Sequence, residues 1–302
     1  MPAVEIVPRG PFSLAAARDF AGGFPAGIGG GGVGANSISL AFPVEGTEAS
    51  AAIELWQDED GVVRGRTDAS GEVLDRALAQ AARSLSLDHD GTGWPAVGER
   101  DPVIARLGRE HDWLRPVCFY SAYEAAASFV IGQRISRRQS AVIKRALADE
   151  LGDRPTIADV PVPAFPRPSR LLELRSQPGL NDEKIRRLHG LAQAALDGKL
   201  DTQALRAMAP DEALASLREL RGVGPFTADA VLYRGCGVAD GLPASDELGQ
   251  SVIKDTYGLP SVTPREVERI TEAWRPYRMW AVVLLRMAWT RAQGGNVSYR
   301  RD

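Results

Sequence analysis

The 302-residue sequence predicts an α+β N-terminal domain with an antiparallel sheet over residues 1–100, followed by an all-α domain of about ten helices over residues 101–302. Texture is the first observation behind this division. Up to about residue 85 the apolar residues fall in short runs rich in β-branched side chains; from about residue 100 they recur at helical spacing between polar or proline-containing connections. Charge is the second. Residues 1–115 hold 10 Lys and Arg against 17 Asp and Glu, a balance of −7, and residues 116–302 hold 26 against 22, a balance of +4. A polyanionic partner is therefore expected at the second part.

In the first part, "AVEIV", "SISLAF" and "AAIELW" read as strands, with "QDEDG" as a turn, and "SLAAARDF" and "EVLDRALAQAARSL" as helices. The stretch "GGFPAGIGGGGVG", residues 22–34, is glycine-rich but has no Lys and Ser or Thr directly after its glycines and no strand-to-helix frame around it. A phosphate loop needs one or the other, so a surface loop is expected.

The second part reads as a succession of helices: "DPVIARLGREH", "SAYEAAASFVIGQ", "SRRQSAVIKRALADELG", "SRLLELRS", "NDEKIRRLHGLAQAALDG", "DTQALRAM", "PDEALASLREL", "GPFTADAVLYRG", "SDELGQSVIKDTYG", "TPREVERITEAW" and "PYRMWAVVLLRMAWTRA". Several open on a Ser, Asp, Asn or Thr cap and several stop at Gly.

Other chemistries are disfavoured by what is scattered. Cys118 and Cys236 form no CxxC pair, and His89, His111 and His189 lie far apart, so a disulfide framework or a transition-metal centre is not expected. No apolar run approaches the roughly 18 residues of a membrane span, and no secretory leader is recognisable. A cytoplasmic protein without a membrane partner is the expectation.

The most informative stretch is "LRELRGVGPFTADA", residues 217–230. Two glycines, Gly222 and Gly224, break one helix, and Pro225, preorganised for a first helical turn, starts the next. Such a turn admits close approach and presents free backbone N–H groups to an anion such as a DNA phosphate. Gly222, Val223, Gly224, Pro225 and Thr227 are thus candidate DNA contacts. Asp246 follows Gly224 by twenty-two residues, in "GLPASDELGQSVIKDTYG", after a proline-containing loop at an expected helix start.

Together these features resemble the helix-hairpin-helix DNA glycosylases, most closely the 3-methyladenine DNA glycosylase II type. The resemblance extends over most of the second part. It includes a Gly-Gln-x-x-Ser turn at Gly132, Gln133 and Ser136, the approach to the hairpin in "GLNDEKIRRLHGLAQAALDGKLD", and the closing helix in "WRPYRMWAVVLLRMAW". Residues 1–100 resemble the family's N-terminal domain only by position and texture.

The resemblance implies an enzyme of DNA repair that flips a damaged base out of duplex DNA and hydrolyses its N-glycosidic bond. It assigns Asp246 to stabilise the oxocarbenium-like sugar and to orient or deprotonate the attacking water. Glu247, the immediate neighbour, is the alternative acid, and an N-cap role for Asp246 or Ser245 is compatible with catalysis. Related enzymes that also cut the backbone carry a lysine two residues past the second glycine; here Phe226 stands there, so no lyase step is expected.

Phe226, Ala230, Glu247 and Arg286 fall at positions that line the family's base pocket, the last three departing from the aromatic residues usual there. Trp274, Tyr277, Trp280 and Trp289 read instead as core. Gln133, Arg134, Ser136 and Arg137 are expected to meet DNA, Arg134 as the wedge that fills the gap left by the flipped base. Arg137, Arg138, Lys144 and Arg145 recur at helical spacing as phosphate contacts or as a solvated basic face.

No organic cofactor is implied; the main-chain carbonyls of Arg218, Leu220 and Val223 are expected to hold a monovalent cation, Na+ or K+. The expected partner is double-stranded DNA containing alkylated bases, met by a monomer. Deaminated or oxidised bases, or a non-catalytic module that binds distorted DNA, are the alternatives.

Overall fold

The computed structural model describes residues 3–21 and 37–293. The glycine-rich stretch at 22–34 lies outside the described residues. Strands β1 (Ala3–Ile6), β2 (Ser37–Pro43), β3 (Ser50–Gln57) and β4 (Val63–Thr67) form one antiparallel sheet in the order β1-β4-β3-β2. Leu40 faces Ile53 across β2 and β3, and Ile53 faces Thr67 across β3 and β4. Most of β2 and β3 is buried, the polar Ser37, Ser39 and Glu54 included, Ser37 donating to Glu54 at 2.6 Å. Strand β4 is not among the runs the sequence singles out, because buried Val63, Gly65 and Thr67 alternate with Arg64 and Arg66. Those arginines are neutralised across the sheet and turn, Arg66 by Glu54 at 2.7 Å and Arg64 by Asp58 and Asp60.

Helix α1 (Leu14–Ala21) and helix α2 (Gly71–Ser84) pack on this sheet, and α3 (Val97–Arg100) leads into the helical part. Eleven α-helices follow among the described residues: α4 (Pro102–Glu110), α5 (Ala122–Gly132), α6 (Arg137–Leu151), α7 (Pro168–Leu171), α8 (Asp182–Leu196), α9 (Thr202–Ala207), α10 (Pro210–Arg218), α11 (Pro225–Ala230), α12 (Glu247–Tyr257), α13 (Pro264–Thr271) and α14 (Arg278–Ala292). Side-chain caps at Ser121, Asn181, Asp201 and Thr263, and left-handed Gly258 after α12, set helix ends where the sequence signals them.

Two expectations need correction. The second part is not purely helical: Thr156–Ile157 (β5) and Val160–Pro161 (β6) form a ribbon whose Ile157 packs with Ala41 and Ala52 of the sheet. Its two-residue turn places Ala158 at φ 51° and Asp159 at φ 63°, a turn usually marked by glycine or asparagine and unmarked here. The stretch "SRLLELRS" yields only the single turn of α7.

One continuous core runs from Val4 and Phe42 to Trp280 and Met287. Phe42 and Tyr120 meet with ring centroids 4.9 Å apart. Buried Arg115 donates to the carbonyls of Arg9, Pro11 and Ser86, at 2.6, 2.9 and 3.1 Å, and so ties the N-terminal segment to the helices. Trp274 and Trp280 are fully interior and Tyr277 nearly so, as expected of core residues.

Candidate active site

The hairpin is formed by α10, a turn at 219–224, and α11. Gly222 adopts φ +91°, a left-handed conformation that favours glycine, and a Cβ there would meet the Arg187 side chain at 2.7 Å. Gly224 is different. Its φ is −86°, it is exposed, and nothing lies within 4 Å of where a Cβ would stand, so its value is the open space outside it. Pro225 is also exposed, whereas Val223 anchors the turn in the core.

Gln133, the cap residue that ends α5, joins the hairpin to its neighbours. Its Nε2 donates to the Gly222 carbonyl at 3.1 Å, and its Oε1 accepts from Arg187 Nη1 at 2.8 Å. Arg187 in turn meets Glu183, which also accepts from Arg186 and from Arg221 of the hairpin turn. Arg134, next in sequence, is exposed and held at φ +57°. The "GQ" turn and the hairpin therefore form one surface, with Arg134, Arg221, Gly224 and Pro225 on its exposed side.

The Thr227 side chain is buried, and the Ser136 hydroxyl is used in a capping box with Gln139 at the start of α6. Arg137 is half-buried, while Arg138 and Arg145 are exposed. Lys144 does not belong to a phosphate-contacting face: it is interior, 4.0 Å from Glu124 and over the Phe119 ring. Burial pushes the Glu124 carboxyl up to about 7 and the Lys144 ammonium down.

Asp246 is the residue before α12 and is buried. Its carboxylate makes no capping bond to its own helix; Oδ2 instead accepts from Nη1 of Arg286 on α14. Glycine at 249 is required by this arrangement, since a Cβ there would stand 2.6 Å from Asp246 Oδ2. Glu247 is the first residue of α12 and exposed, so the structure separates the two candidate acids. Arg286, read from sequence as a pocket residue, is the counter-charge of Asp246. Ala230 is buried, and half-buried Phe226 meets Phe129 edge-on at 5.7 Å.

Sequence reasoning missed the residues that link hairpin and aspartate. Buried Asp229 of α11 accepts from both the amide, at 3.0 Å, and the hydroxyl of Ser245. Past α11 the chain widens into a π-helical turn, Val231–Gly235, closed by the Cys236 amide on the Val231 carbonyl at 2.8 Å. Gly235 packs this turn closely on α5, where a Cβ would meet Ala125 at 2.8 Å. Tyr233, in the same turn, lies against Gly241; burial, reinforced by the Asp229 charge, pushes its phenol up to about 12. These pairings join segments up to 110 residues apart, as Gly235 and Ala125 are, and have no local sequence signature.

No family model matches the chain. DNA-3-methyladenine glycosylase 2 of Escherichia coli (strain K12) is 29% identical over 186 residues, 60% of this chain and 62% of that protein. DNA-3-methyladenine glycosylase of Bacillus subtilis (strain 168) is 24% identical over 209 residues, 67% of this chain and 68% of that protein. The chain thus spans between three-fifths and seven-tenths of the length of these relatives. In three dimensions, 3-methyladenine DNA-glycosylase from Archaeoglobus fulgidus superposes with a TM-score of 0.75 over 96% of this chain and 99% of that one, at 16% identity, a likeness of fold. In sequence and in fold the chain is thus similar to DNA-3-methyladenine glycosylases.

Proposed function

We propose that this chain is a monofunctional DNA glycosylase that removes alkylated bases of the 3-methyladenine type from double-stranded DNA. The observation that carries the reading is Asp246: a buried carboxylate turned away from its own helix amides, paired with Arg286 and set beyond a hairpin whose exposed Gly224 admits close approach. The relatives named above are called 3-methyladenine glycosylases, which supports the choice of lesion.

In this reading the hairpin takes a backbone phosphate, and the damaged nucleotide is extruded at a cost of a few kcal/mol for unpairing and unstacking. The C1′–N bond then breaks with its electron pair passing to the base. Asp246 stabilises the positive charge left on the sugar, a water oxygen bonds to C1′, and its proton is lost toward the carboxylate. Arg286 supplies the counter-charge a buried carboxylate requires. An alkylated base is already cationic and leaves readily, so one carboxylate suffices. Phe226, where a Schiff-base lysine would stand, leaves the sugar–phosphate backbone uncut.

The further parts of the proposal follow from the same resemblance. Residues 1–100 and 101–302 are the two functional divisions, the protein acts as a monomer, and a Na+ or K+ ion sits on the carbonyls of Arg218, Leu220 and Val223. Three carbonyl oxygens are a donor set suited to a hard monovalent cation, and the Leu220 oxygen, which accepts from the Val223 amide at 3.0 Å, keeps a second lone pair. No helix among the described residues is long and apolar enough to cross a membrane.

A release assay over duplexes carrying alkylated, deaminated or oxidised bases tests the reading. Wild type is expected to release alkylated purines, and Asp246→Asn to lose release by about 10²–10³-fold or more while still binding a duplex with an abasic-site analogue. Wild type that releases no base from any duplex overturns it.

A further inference from the structure

We infer that Asp229 is the positioning residue for Asp246, a role that rests on the glycosylase reading above. Its carboxylate is 2% exposed and belongs to α11, the helix that starts at the hairpin glycines. A single oxygen, Oδ2, receives both donors of Ser245, the backbone amide at 3.0 Å and the hydroxyl. Ser245 is joined directly to Asp246. Two hydrogen bonds from one residue to one carboxylate fix both the path of the backbone and the rotation of the side chain, and bonds to a charged acceptor are roughly twice as strong as neutral ones.

The surrounding loop is held by close packing as well. Tyr233, one turn beyond Asp229, lies so close to Gly241 that a Cβ there would stand 2.1 Å from its ring. At the far end Asp246 meets Arg286. The approach to Asp246 is thus packed on the π-helical turn at Gly241 and fastened to the second hairpin helix at Ser245, and the carboxylate itself to α14. Whatever grips DNA at the hairpin is connected by a buried, charge-assisted clamp to the group that meets the sugar. Misplacement of a reacting group by about 1 Å can cost about 10²-fold in rate, so such a clamp controls rate more than binding.

The experiment compares Asp229→Ala, Asp229→Asn, Ser245→Ala and the double Asp229→Ala/Ser245→Ala with wild type, in single-turnover base release and in affinity for an abasic-analogue duplex. Release is expected to fall by about 10- to 100-fold in Asp229→Ala with affinity changed less than about threefold. Asp229→Asn, which keeps the shape and one acceptor oxygen, is expected to recover at least half of the logarithmic loss. The double variant should lose no more than Asp229→Ala alone, because both substitutions break the same link. Release within threefold of wild type in Asp229→Ala, affinity falling in step with rate, or losses that multiply in the double variant each overturn the inference while leaving the glycosylase reading intact. If Asp229→Ala does not fold, Asp229→Asn and Ser245→Ala decide, an unchanged rate in both counting against it. Wild type that releases no base removes both.

Discussion

Arg286 on α14 donates through Nη1 to Oδ2 of Asp246, forty residues earlier in the chain, and both side chains lie in the interior. Removing one member of a buried ion pair leaves an uncompensated charge, at a cost of about 3–5 kcal/mol. Arg286→Ala is therefore expected to lose about that much stability in urea unfolding, and base release with it. Asp246→Asn keeps an amide oxygen for the guanidinium to donate to, so it should lose less stability, about 1–3 kcal/mol, although it loses release more completely. An Arg286→Ala variant as stable as wild type would show that the pair contributes nothing to the fold.

The two hairpin glycines predict opposite behaviour. Gly222 sits at φ +91° against Arg187, so Gly222→Ala should destabilise the chain by about 1–2 kcal/mol and weaken DNA binding through a distorted turn. Gly224 has an ordinary φ and empty space where a Cβ would stand. Gly224→Ala should therefore melt within about 0.5 kcal/mol of wild type and still bind DNA less tightly, because only an approaching phosphate meets the new methyl. Thermal melting beside fluorescence anisotropy on a labelled duplex separates the two; equal melting of both variants contradicts this account of Gly222.

Arg134 is an exposed arginine at φ +57°, a conformation that costs a non-glycine residue about 1–2 kcal/mol. Arg134→Gly removes that strain and adds the greater chain entropy of glycine, so its stability should be unchanged or higher by up to about 1 kcal/mol. Base release from a paired lesion should nevertheless fall if the guanidinium fills the vacated stack, and the fall should be smaller on a mismatched lesion, which is easier to extrude. Release that is unaffected on both duplexes removes Arg134 from the wedge role.

What the sequence revealed and what it hid follow from the range of each signal. Gly222, Gly224 and Pro225 announce the hairpin because backbone conformation is written locally. Asp246 is legible through resemblance at a fixed distance from those glycines. Its partner Arg286, its neighbour's clamp at Asp229 and the Gln133 link to Gly222 are contacts between distant segments, which leave no period in the sequence. Helical spacing aligned Lys144 with Arg137, Arg138 and Arg145 but carries no information on which side faces the core. The structure turns Lys144 inward to Glu124 and leaves Arg138 and Arg145 outside. Strand β4 was hidden by arginines whose charges are met by neighbouring acids.

The Glu124 and Lys144 pair predicts how stability responds to pH. Burial holds the Glu124 carboxyl near 7 in the folded chain against an ordinary 4.5, while Lys144 opposes that rise. Below pH 4.5 the group is protonated whether folded or not, so its contribution is fully present. Between 4.5 and 7 the unfolded chain gives up the proton and the folded chain keeps it, so stability is lost as pH rises. Tyr120 and Tyr123, which also face Glu124, stay protonated throughout because burial raises both. Lys144→Met removes the charge that favours the carboxylate, so the loss should become larger and extend above pH 7. The double variant Glu124→Gln/Lys144→Met should lack this component altogether. Melting temperatures from pH 4.5 to 8 check the order, with Lys144→Met falling most steeply and the double variant least; parallel curves for all three would show that the pair is not buried as described.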